Sequence, residues 1–146
     1  MKDESTVALG VGEEPKRVEG IGFIVSQEWS KYINHLDVSN SRIGILMLTL
    51  PKQRTLHIIQ AYTPTSAAED EEVEQLYEEL EEAMNTHCTY LIVMGDFNAK
   101  VGCRKDNKAF VGPSGGERNK RGEWLAAIVE SRRLFVGNSF FKKRQG

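Results

Sequence analysis

The chain has 146 residues, of which 40% are hydrophobic and 27% are charged. These values are typical of one soluble globular domain and exclude a wholly disordered or collagen-like chain. No apolar run approaches the ~20 residues that cross a bilayer, and the polar first residues are unlike a secretory signal. Two cysteines make no disulfide framework, which predicts free thiols in a reducing, intracellular compartment.

The net charge of -2 conceals a strong asymmetry along the chain. Residues 1–99 sum to -10, whereas residues 100–146 sum to +8. A basic half can contact the phosphates of a nucleic acid. An ordinary solvated surface with a lysine-rich tail explains the same charge, so both readings stay open.

The first half of the chain is rich in strand patterns. Residues 1–19 show no sustained period and are predicted to be a poorly ordered segment, either a loop or a loose terminal strand. The apolar run GIGFIV (20–25) has the size of a buried strand. Residues 43–50 and 55–62 are two β-rich runs with a short proline-containing separation, which predicts an antiparallel hairpin.

A change of period then predicts a helix over residues 67–84. Apolar residues recur there at three- and four-residue steps, and acidic residues occupy the first turns, where the helix dipole favours anions. Either Thr65 or Ser66 is a candidate cap. The continuous apolar run YLIVM (90–94) predicts a strand that is covered on both faces.

The remaining segments complete an alternation of strands and helices. Residues 102–118 are predicted to be a long surface loop, and a second amphipathic helix follows Asn119 and ends near Arg132. One more strand is predicted over residues 134–136. This order favours a layered α/β domain with a mixed sheet and no inter-domain linker.

The sharpest local signal is GDFNA (95–99), directly after the YLIVM run. Alternation along an extended backbone puts Asp96 and Asn98 on the same side, and Gly95 allows backbone or ligand to come close. At the carboxyl end of a strand, a carboxylate can orient or deprotonate water, and an amide can stabilise negative charge on a phosphoryl oxygen. Ordinary turn residues closing the strand are the alternative.

A second signal is AYTP (61–64), at the end of the hairpin. Pro64 fixes the exit of the chain, and Tyr62 can present a phenolic hydrogen-bond donor beside the same sheet edge. A tyrosine in such a place is by itself more often a core or rim residue.

Five blocks in order carry a family resemblance. They are GIGFIV (20–25), AYTPTSAAEDEEVEQLYEELEEA (61–83), YLIVMGDFNAKVG (90–102), GERNKRGEWLA (116–126) and LFVGNSFFKKR (134–144). The chain resembles the endonuclease/exonuclease/phosphatase superfamily, and more closely the endonuclease domain of LINE-type retrotransposons of the RTE group. The domesticated relatives called craniofacial development protein 2-like are similar too.

This resemblance implies a four-layer α/β sandwich that hydrolyses phosphodiesters of DNA with a divalent metal, usually magnesium. It implies that Tyr62 contacts the scissile phosphate and that Asp96 orients the attacking water. Asn98 is expected to stabilise charge on the phosphoryl oxygens.

The chain also departs from the family pattern. An asparagine and a metal-binding glutamate of the family lie upstream of residue 1, and a terminal aspartate and Ser-Asp-His motif lie downstream of residue 146. The sequence contains no Ser-Asp-His, and its three histidines, His35, His57 and His87, match no catalytic position and are predicted to be structural or surface residues. Residues 20–146 are therefore interpreted as the central part of the domain, a partial sandwich that lacks the first and last strands.

Three consequences of this interpretation are expected. The magnesium ligand set is incomplete, so nuclease activity of the chain is predicted to be weak or absent. Unpaired sheet edges are predicted to favour self-association. Two other functions stay open: a non-catalytic module that binds nucleic acid or protein through residues 100–146, and a small-molecule or lipid phosphoesterase of the same superfamily.

Overall fold

The structure, a computed structural model, describes residues 5–11, 20–65, 68–105 and 109–142. The chain divides into two compact units, residues 1–97 and 98–146. In its described residues, the first unit contains two sheets and two α-helices. Its elements are β1 (Thr6–Val11), β2 (Gly20–Val25), α1 (Gln27–Ser30), β3 (Ile33–Asp37), β4 (Ile43–Leu50), β5 (Arg54–Tyr62), α2 (Asp70–Met84) and β6 (Tyr90–Asp96).

The larger sheet is mixed and has the strand order β3-β4-β5-β6. The predicted hairpin is confirmed: β4 and β5 pair antiparallel, and a 3-10 turn over Pro51–Gln53 joins them. Strand β6 returns after α2 to pair with β5 in parallel. Parallel neighbours require such a crossover, because a short turn can only reverse the chain.

The two faces of this sheet are covered by different partners. On one face, Phe23 and Val25 of β2 pack against Leu46 and Leu48 of β4, and all four side chains are buried. On the other face lies α2, whose buried stripe predicted from its period is observed; its buried side chains are Val73, Leu76, Tyr77, Leu80 and Met84. Helix, sheet and second sheet thus form layers, which confirms the predicted partial α/β sandwich with a mixed sheet.

Several local predictions need correction. Helix α2 begins at Asp70 with Glu69 as its N-cap residue, and the Glu69 side chain makes no capping hydrogen bond, so the prediction of Thr65 as the cap is wrong. Ser66, the other predicted cap, lies outside the described residues. The sequence also gave no signal for α1 and β3, which are short and carry no sustained apolar period.

Strand β6 is not covered on both faces, as its apolar run had predicted. It is the edge strand of the sheet, and one set of alternate side chains is exposed: Tyr90 by 46%, Ile92 by 46% and Met94 by 42%. The second sheet packs against β4 and β5 and leaves these three side chains in solvent. An unbroken apolar run therefore marks here a strand with one open face.

Within residues 1–19, the structure describes only residues 5–11. Of the two alternatives left open there, a strand is observed over Thr6–Val11, and it pairs antiparallel with β2 from Thr6 opposite Val25 to Val11 opposite Gly20. The rest of that predicted segment lies outside the described residues.

The second unit is built around helix α3 (Lys120–Ser131), which confirms the predicted second helix. Asn119 is its N-cap, and the side-chain oxygen accepts a hydrogen bond from the Gly122 amide (2.8 Å). The predicted strand over residues 134–136 is wrong. A single parallel bridge joins Val111 to Val136, and a 3-10 turn, Gly137–Phe140, follows immediately.

Two further predictions concern the cysteines and membrane-spanning segments. Cys88 and Cys103 are both free thiols, as predicted, and partial burial raises the pKa of Cys88. Among the helices of the described segments, none has both the length and the apolar character needed to span a bilayer.

Candidate functional site

Tyr62 and Asp96 are direct neighbours in the larger sheet. They are register partners on the parallel strands β5 and β6, and each is the last residue of its strand. Adjacent strands lie about 4.8 Å apart, and paired residues project to the same face. The phenol and the carboxylate thus start from the same edge and face of the sheet, at the carboxyl ends of parallel strands where α/β proteins place ligands.

Backbone hydrogen bonds fix this row of residues on both sides. The Thr63 amide donates to the Asp96 carbonyl (2.8 Å), so the parallel ladder continues one residue beyond β5. The Tyr62 amide donates to the Arg42 carbonyl (2.8 Å), at the start of β4. Because Thr63 is fully buried, the backbone that presents Tyr62 is anchored in the interior of the first unit.

The two side chains differ in exposure. Asp96 is exposed and Tyr62 is half-buried. Water therefore reaches the carboxylate directly, while the tyrosine ring packs in part against the protein. This combination suits an acceptor that holds a water molecule beside a positioned hydroxyl donor.

Gly95 explains why glycine precedes the aspartate. Its φ is 145°, and a Cβ atom there would lie 1.8 Å from the carbonyl oxygen of Ala61 on β5. Of the two reasons considered for this glycine, close approach of backbone is the one observed. The requirement is set by the pairing of β5 with β6, and it holds Asp96 in register with Tyr62.

Arg42 is a neighbour of the site that sequence reasoning missed. It lies beside Tyr62 across the sheet, and its guanidinium forms an ion pair with Glu72 of α2. The register of the hairpin was the available signal, because pairing of residues 43–50 with 54–62 places Arg42 opposite Tyr62. Its backbone lies beside Tyr62, whereas its guanidinium reaches α2.

Asn98 belongs to the second unit and is half-buried. Strand β6 ends at Asp96, and Asn98 has a φ of 44°, in the left-handed region. The alternation argument requires extended backbone, which ends at Asp96, so that argument does not apply to Asn98, and its placement on the same side as Asp96 stays a prediction. The catalytic role that the resemblance assigns to Asn98 stays a prediction.

Lys100 and Val101, which follow GDFNA, form hydrogen bonds with residues at the start of α3. The Asn119 side-chain oxygen accepts from the Lys100 amide (3.0 Å), and the Asn119 amide donates to the Lys100 carbonyl (3.1 Å). The Arg118 side chain donates to the Val101 carbonyl. Gly122 allows this contact, because a Cβ atom there would lie 1.8 Å from the Lys100 oxygen. The end of one sequence block, residues 100–101, thus contacts the start of another, residues 118–122, within the second unit.

The side chains that the structure describes do not form a magnesium centre. Within the described ranges, no group of three or more His, Cys, Asp or Glu side chains is placed to hold a metal ion. His57 and His87 lie on β5 and after α2, and His35 lies on β3, away from the row of Tyr62 and Asp96. No step of a reaction is therefore derived through a metal bound by this chain.

Comparison with known proteins gives one relationship. The chain is 30% identical over 135 residues to Craniofacial development protein 2 of Bos taurus, a match that covers 90% of this chain and 22% of that protein. Craniofacial development protein 2 of Tragulus javanicus matches equally over 23% of its length. No family model matches the chain.

The chain thus spans about a fifth of the length of the curated relatives that it matches. The similarity supports the expected relationship to craniofacial development protein 2. It covers nearly the whole chain, so it includes both sequence blocks that carry Tyr62 and Asp96.

Proposed function

We propose that this chain is a fragment of a divalent-metal-dependent phosphodiester hydrolase, a DNA endonuclease of the LINE type in the endonuclease/exonuclease/phosphatase superfamily. The observation that carries this proposal is the register of Tyr62 with Asp96 at the carboxyl ends of two parallel strands. The motif blocks read from the sequence supply the family, and the similarity to craniofacial development protein 2 supports part of that assignment.

The chemistry assigned to this edge follows from the two side chains. The Tyr62 hydroxyl donates a hydrogen bond to a phosphoryl oxygen and positions the scissile phosphate. The exposed Asp96 carboxylate accepts a hydrogen bond from water and orients it for attack. Asn98 is assigned the stabilisation of charge on the phosphoryl oxygens. Magnesium, which neutralises phosphate charge in such enzymes, is proposed to find only an incomplete ligand set in this chain, so that nicking by the chain alone is weak.

A fragment of this kind retains little of the activity of a whole enzyme. Residues that act as a unit lose most of their effect when part of the unit is missing. We therefore expect slow nicking of DNA rather than efficient turnover.

The test is nicking of supercoiled plasmid by the purified 146-residue chain, with magnesium and with chelator. Nicking is expected to require magnesium, to disappear in Asp96→Ala and to persist in Glu78→Gln, which alters an exposed carboxylate on α2. Equal nicking by wild type and Asp96→Ala, or none by either, would overturn the hydrolase assignment for this chain.

A second candidate is a non-catalytic nucleic-acid-binding module, and an aromatic cluster in the second unit favours it. Phe135 packs against Phe110 and Phe140 with ring centroids 5.5 and 6.2 Å away, yet it is 65% exposed. Phe141 is 75% exposed, and residues 100–146 carry a charge of +8. Exposed rings beside basic residues can stack on the bases of single-stranded DNA.

Binding of a labelled oligothymidine distinguishes this candidate. Affinity is expected to fall steeply with salt, because phosphate contacts release counterions. Phe135→Ala is expected to weaken binding by about 1–3 kcal/mol, whereas Ile24→Ala, at an exposed apolar position of the first unit, leaves it unchanged. Equal affinity of both variants would count against the stacking surface.

A further inference from the structure

A groove of about 420 Å³ lies between the C-terminal half of α2 and the face of the larger sheet that α2 covers. Ile45, Met47 and His57 form its floor on β4 and β5, and Glu79 and Glu82 of α2 stand on one side. His35 and Asp37 of β3 contribute to the lining from the opposite side. The strand register pairs Met47 with His57. The side chains of these two residues lie on the sheet face opposite to the one that carries Tyr62 and Asp96.

His57 is unusual among the residues of this groove, because its polar side chain is buried. It is 1% exposed, and neither ring nitrogen has a hydrogen-bond partner among the described residues. Burial lowers the pKa of His57, and nearby His35 lowers it further, so the ring is neutral at pH 7. A buried polar group without a partner destabilises the folded state, and a ligand that completes its hydrogen bonds is one explanation for its presence.

The electrostatics of the groove favour a cation. Asp37, Glu79 and Glu82 line it, and among the described residues no lysine or arginine belongs to the lining. The pKa of Asp37 is lowered by hydrogen bonds from Ser39, so this carboxylate is ionised. Glu79 is held in place by the amides of Asn40 (3.1 Å) and Gln75 (3.2 Å). The carboxylates at the rim of the groove are therefore anionic, and Glu79 is held in a fixed position. The floor of the groove is apolar apart from the imidazole of His57.

We propose that this groove binds an arginine side chain of a basic polypeptide segment. The alkyl part of arginine can lie along Ile45 and Met47, and its planar guanidinium can donate to Glu79 and Glu82 together. The acceptor nitrogen of neutral His57 then receives a donor that it lacks in the chain alone.

A bare metal ion fits the groove less well than arginine. Among the side chains that the structure describes, no three potential ligands come together there, and the apolar floor offers nothing to a compact hydrated ion. A guanidinium is weakly hydrated and carries an apolar stem, so both parts of the groove are used.

The affinity is also expected to depend on pH. The titratable groups that face the groove are His35 and Asp37 from β3, His57 from β5, and Glu79 and Glu82 from α2, whereas β4 contributes none. Protonation of His57 removes its acceptor nitrogen and adds positive charge to the groove. Because burial lowers the pKa of His57 below its ordinary value of 6.5, binding should weaken only at pH values below 6.5.

The test uses the full chain and a fluorescein-labelled pentapeptide, Gly-Arg-Gly-Arg-Gly, at pH 7.5, with anisotropy as the readout. Replacement of both arginines by uncharged citrulline is expected to weaken binding at least tenfold, because the charge-assisted hydrogen bonds to the carboxylates are lost. The double variant Glu79→Gln/Glu82→Gln is expected to lose affinity to the same extent. The matched control, Glu74→Gln/Glu78→Gln on the same helix, removes the same charge outside the groove and should change affinity less than twofold.

Two further measurements make the outcome decisive. In the wild-type chain, NMR signals of the His57 ring should shift on addition of the peptide while those of exposed His87 do not. His57→Leu should bind the peptide more weakly although it unfolds at higher denaturant concentration. Equal losses in the two double variants, equal binding of the citrulline peptide, or no shift at His57 would overturn the proposal. None of these outcomes bears on plasmid nicking, which depends on the opposite sheet face.

Discussion

Among the three glycine substitutions compared below, Gly95→Ala is expected to destabilise the fold most. Gly95 has a φ of 145°, which L-residues rarely adopt, and the added methyl group would lie 1.8 Å from the Ala61 oxygen and 2.8 Å from the Ala61 carbonyl carbon. Both atoms belong to the backbone of β5. No side-chain rotation can relieve the contact, so β5 and β6 must separate or the chain must change its conformation at Gly95.

The expected cost combines two contributions. A residue held in a sparsely populated backbone region costs about 1–3 kcal/mol. Crowding of the added methyl group against the backbone of β5 costs about another 1–3 kcal/mol. Gly95→Ala is therefore expected to lower the free energy of unfolding by about 2–6 kcal/mol, a large fraction of the about 5–15 kcal/mol of a typical domain.

Gly44→Ala is a suitable comparison within the same sheet. Its Cβ would meet the ends of the Ile21 and Phe23 side chains at 3.0 Å, and these can move. Gly116→Ala provides a second control, because nothing lies within 4 Å of the added atom.

Urea unfolding followed by circular dichroism gives the free energies of all three variants. The expected order of destabilisation is Gly95→Ala, then Gly44→Ala, then Gly116→Ala, the last within about 0.5 kcal/mol of wild type. A Gly95→Ala chain as stable as Gly44→Ala would refute the argument that backbone contact between β5 and β6 requires glycine.

Other predictions concern capping, pH and association. Asn119→Ala removes the acceptor of the Lys100 and Gly122 amides and should destabilise the second unit by about 1–2 kcal/mol, measured by thermal unfolding; no change would show that α3 does not need this cap. Because burial lowers the pKa of His57 below its unfolded value of 6.5, protonation favours the unfolded state, and stability should fall as the pH drops below 6.5. Urea titrations at pH 7.5 and 5.5 should show a smaller decrease for His57→Leu than for wild type, and equal decreases would assign the effect elsewhere. Sedimentation velocity should detect concentration-dependent self-association of the wild-type chain and less of it in Met94→Lys, which places a charge on the open face of β6; an unchanged distribution would exclude this face.

Strong local patterns predicted most of the sheet and both long helices. The β4–β5 hairpin and the buried stripe of α2 follow from alternation and from helical spacing, and tertiary contacts do not override them. Asn119 was located as a helix start because its short side chain suits the N-cap position. The neighbouring positions of Tyr62 and Asp96 could also be predicted from the sequence, because each residue lies at the end of a strand and the two strands run in the same direction.

Features that depend on distant partners were not predictable in this way. The run YLIVM gives the same signal whether one or two faces are covered, and the number of layers over β6 is decided by which strands β2 packs against. Asn98 has a left-handed backbone conformation, and the pattern of apolar residues does not predict such a conformation. Strand β3 contains His35 and Asp37 and was missed because its pairing with β4, rather than its own period, makes it a strand.

The parallel pairing of β5 with β6 has a kinetic consequence. The antiparallel hairpin closes across Pro51–Gln53, whereas β6 can join only after the whole segment from residue 63 to residue 89 has closed. The difference in loop-closure entropy corresponds to about 2 kcal/mol. The hairpin should therefore form early and β6 dock late, so Asp96 reaches Tyr62 among the last events of folding. In a hydrogen-exchange experiment, amides of β6 should consequently open more often than those shared by β4 and β5.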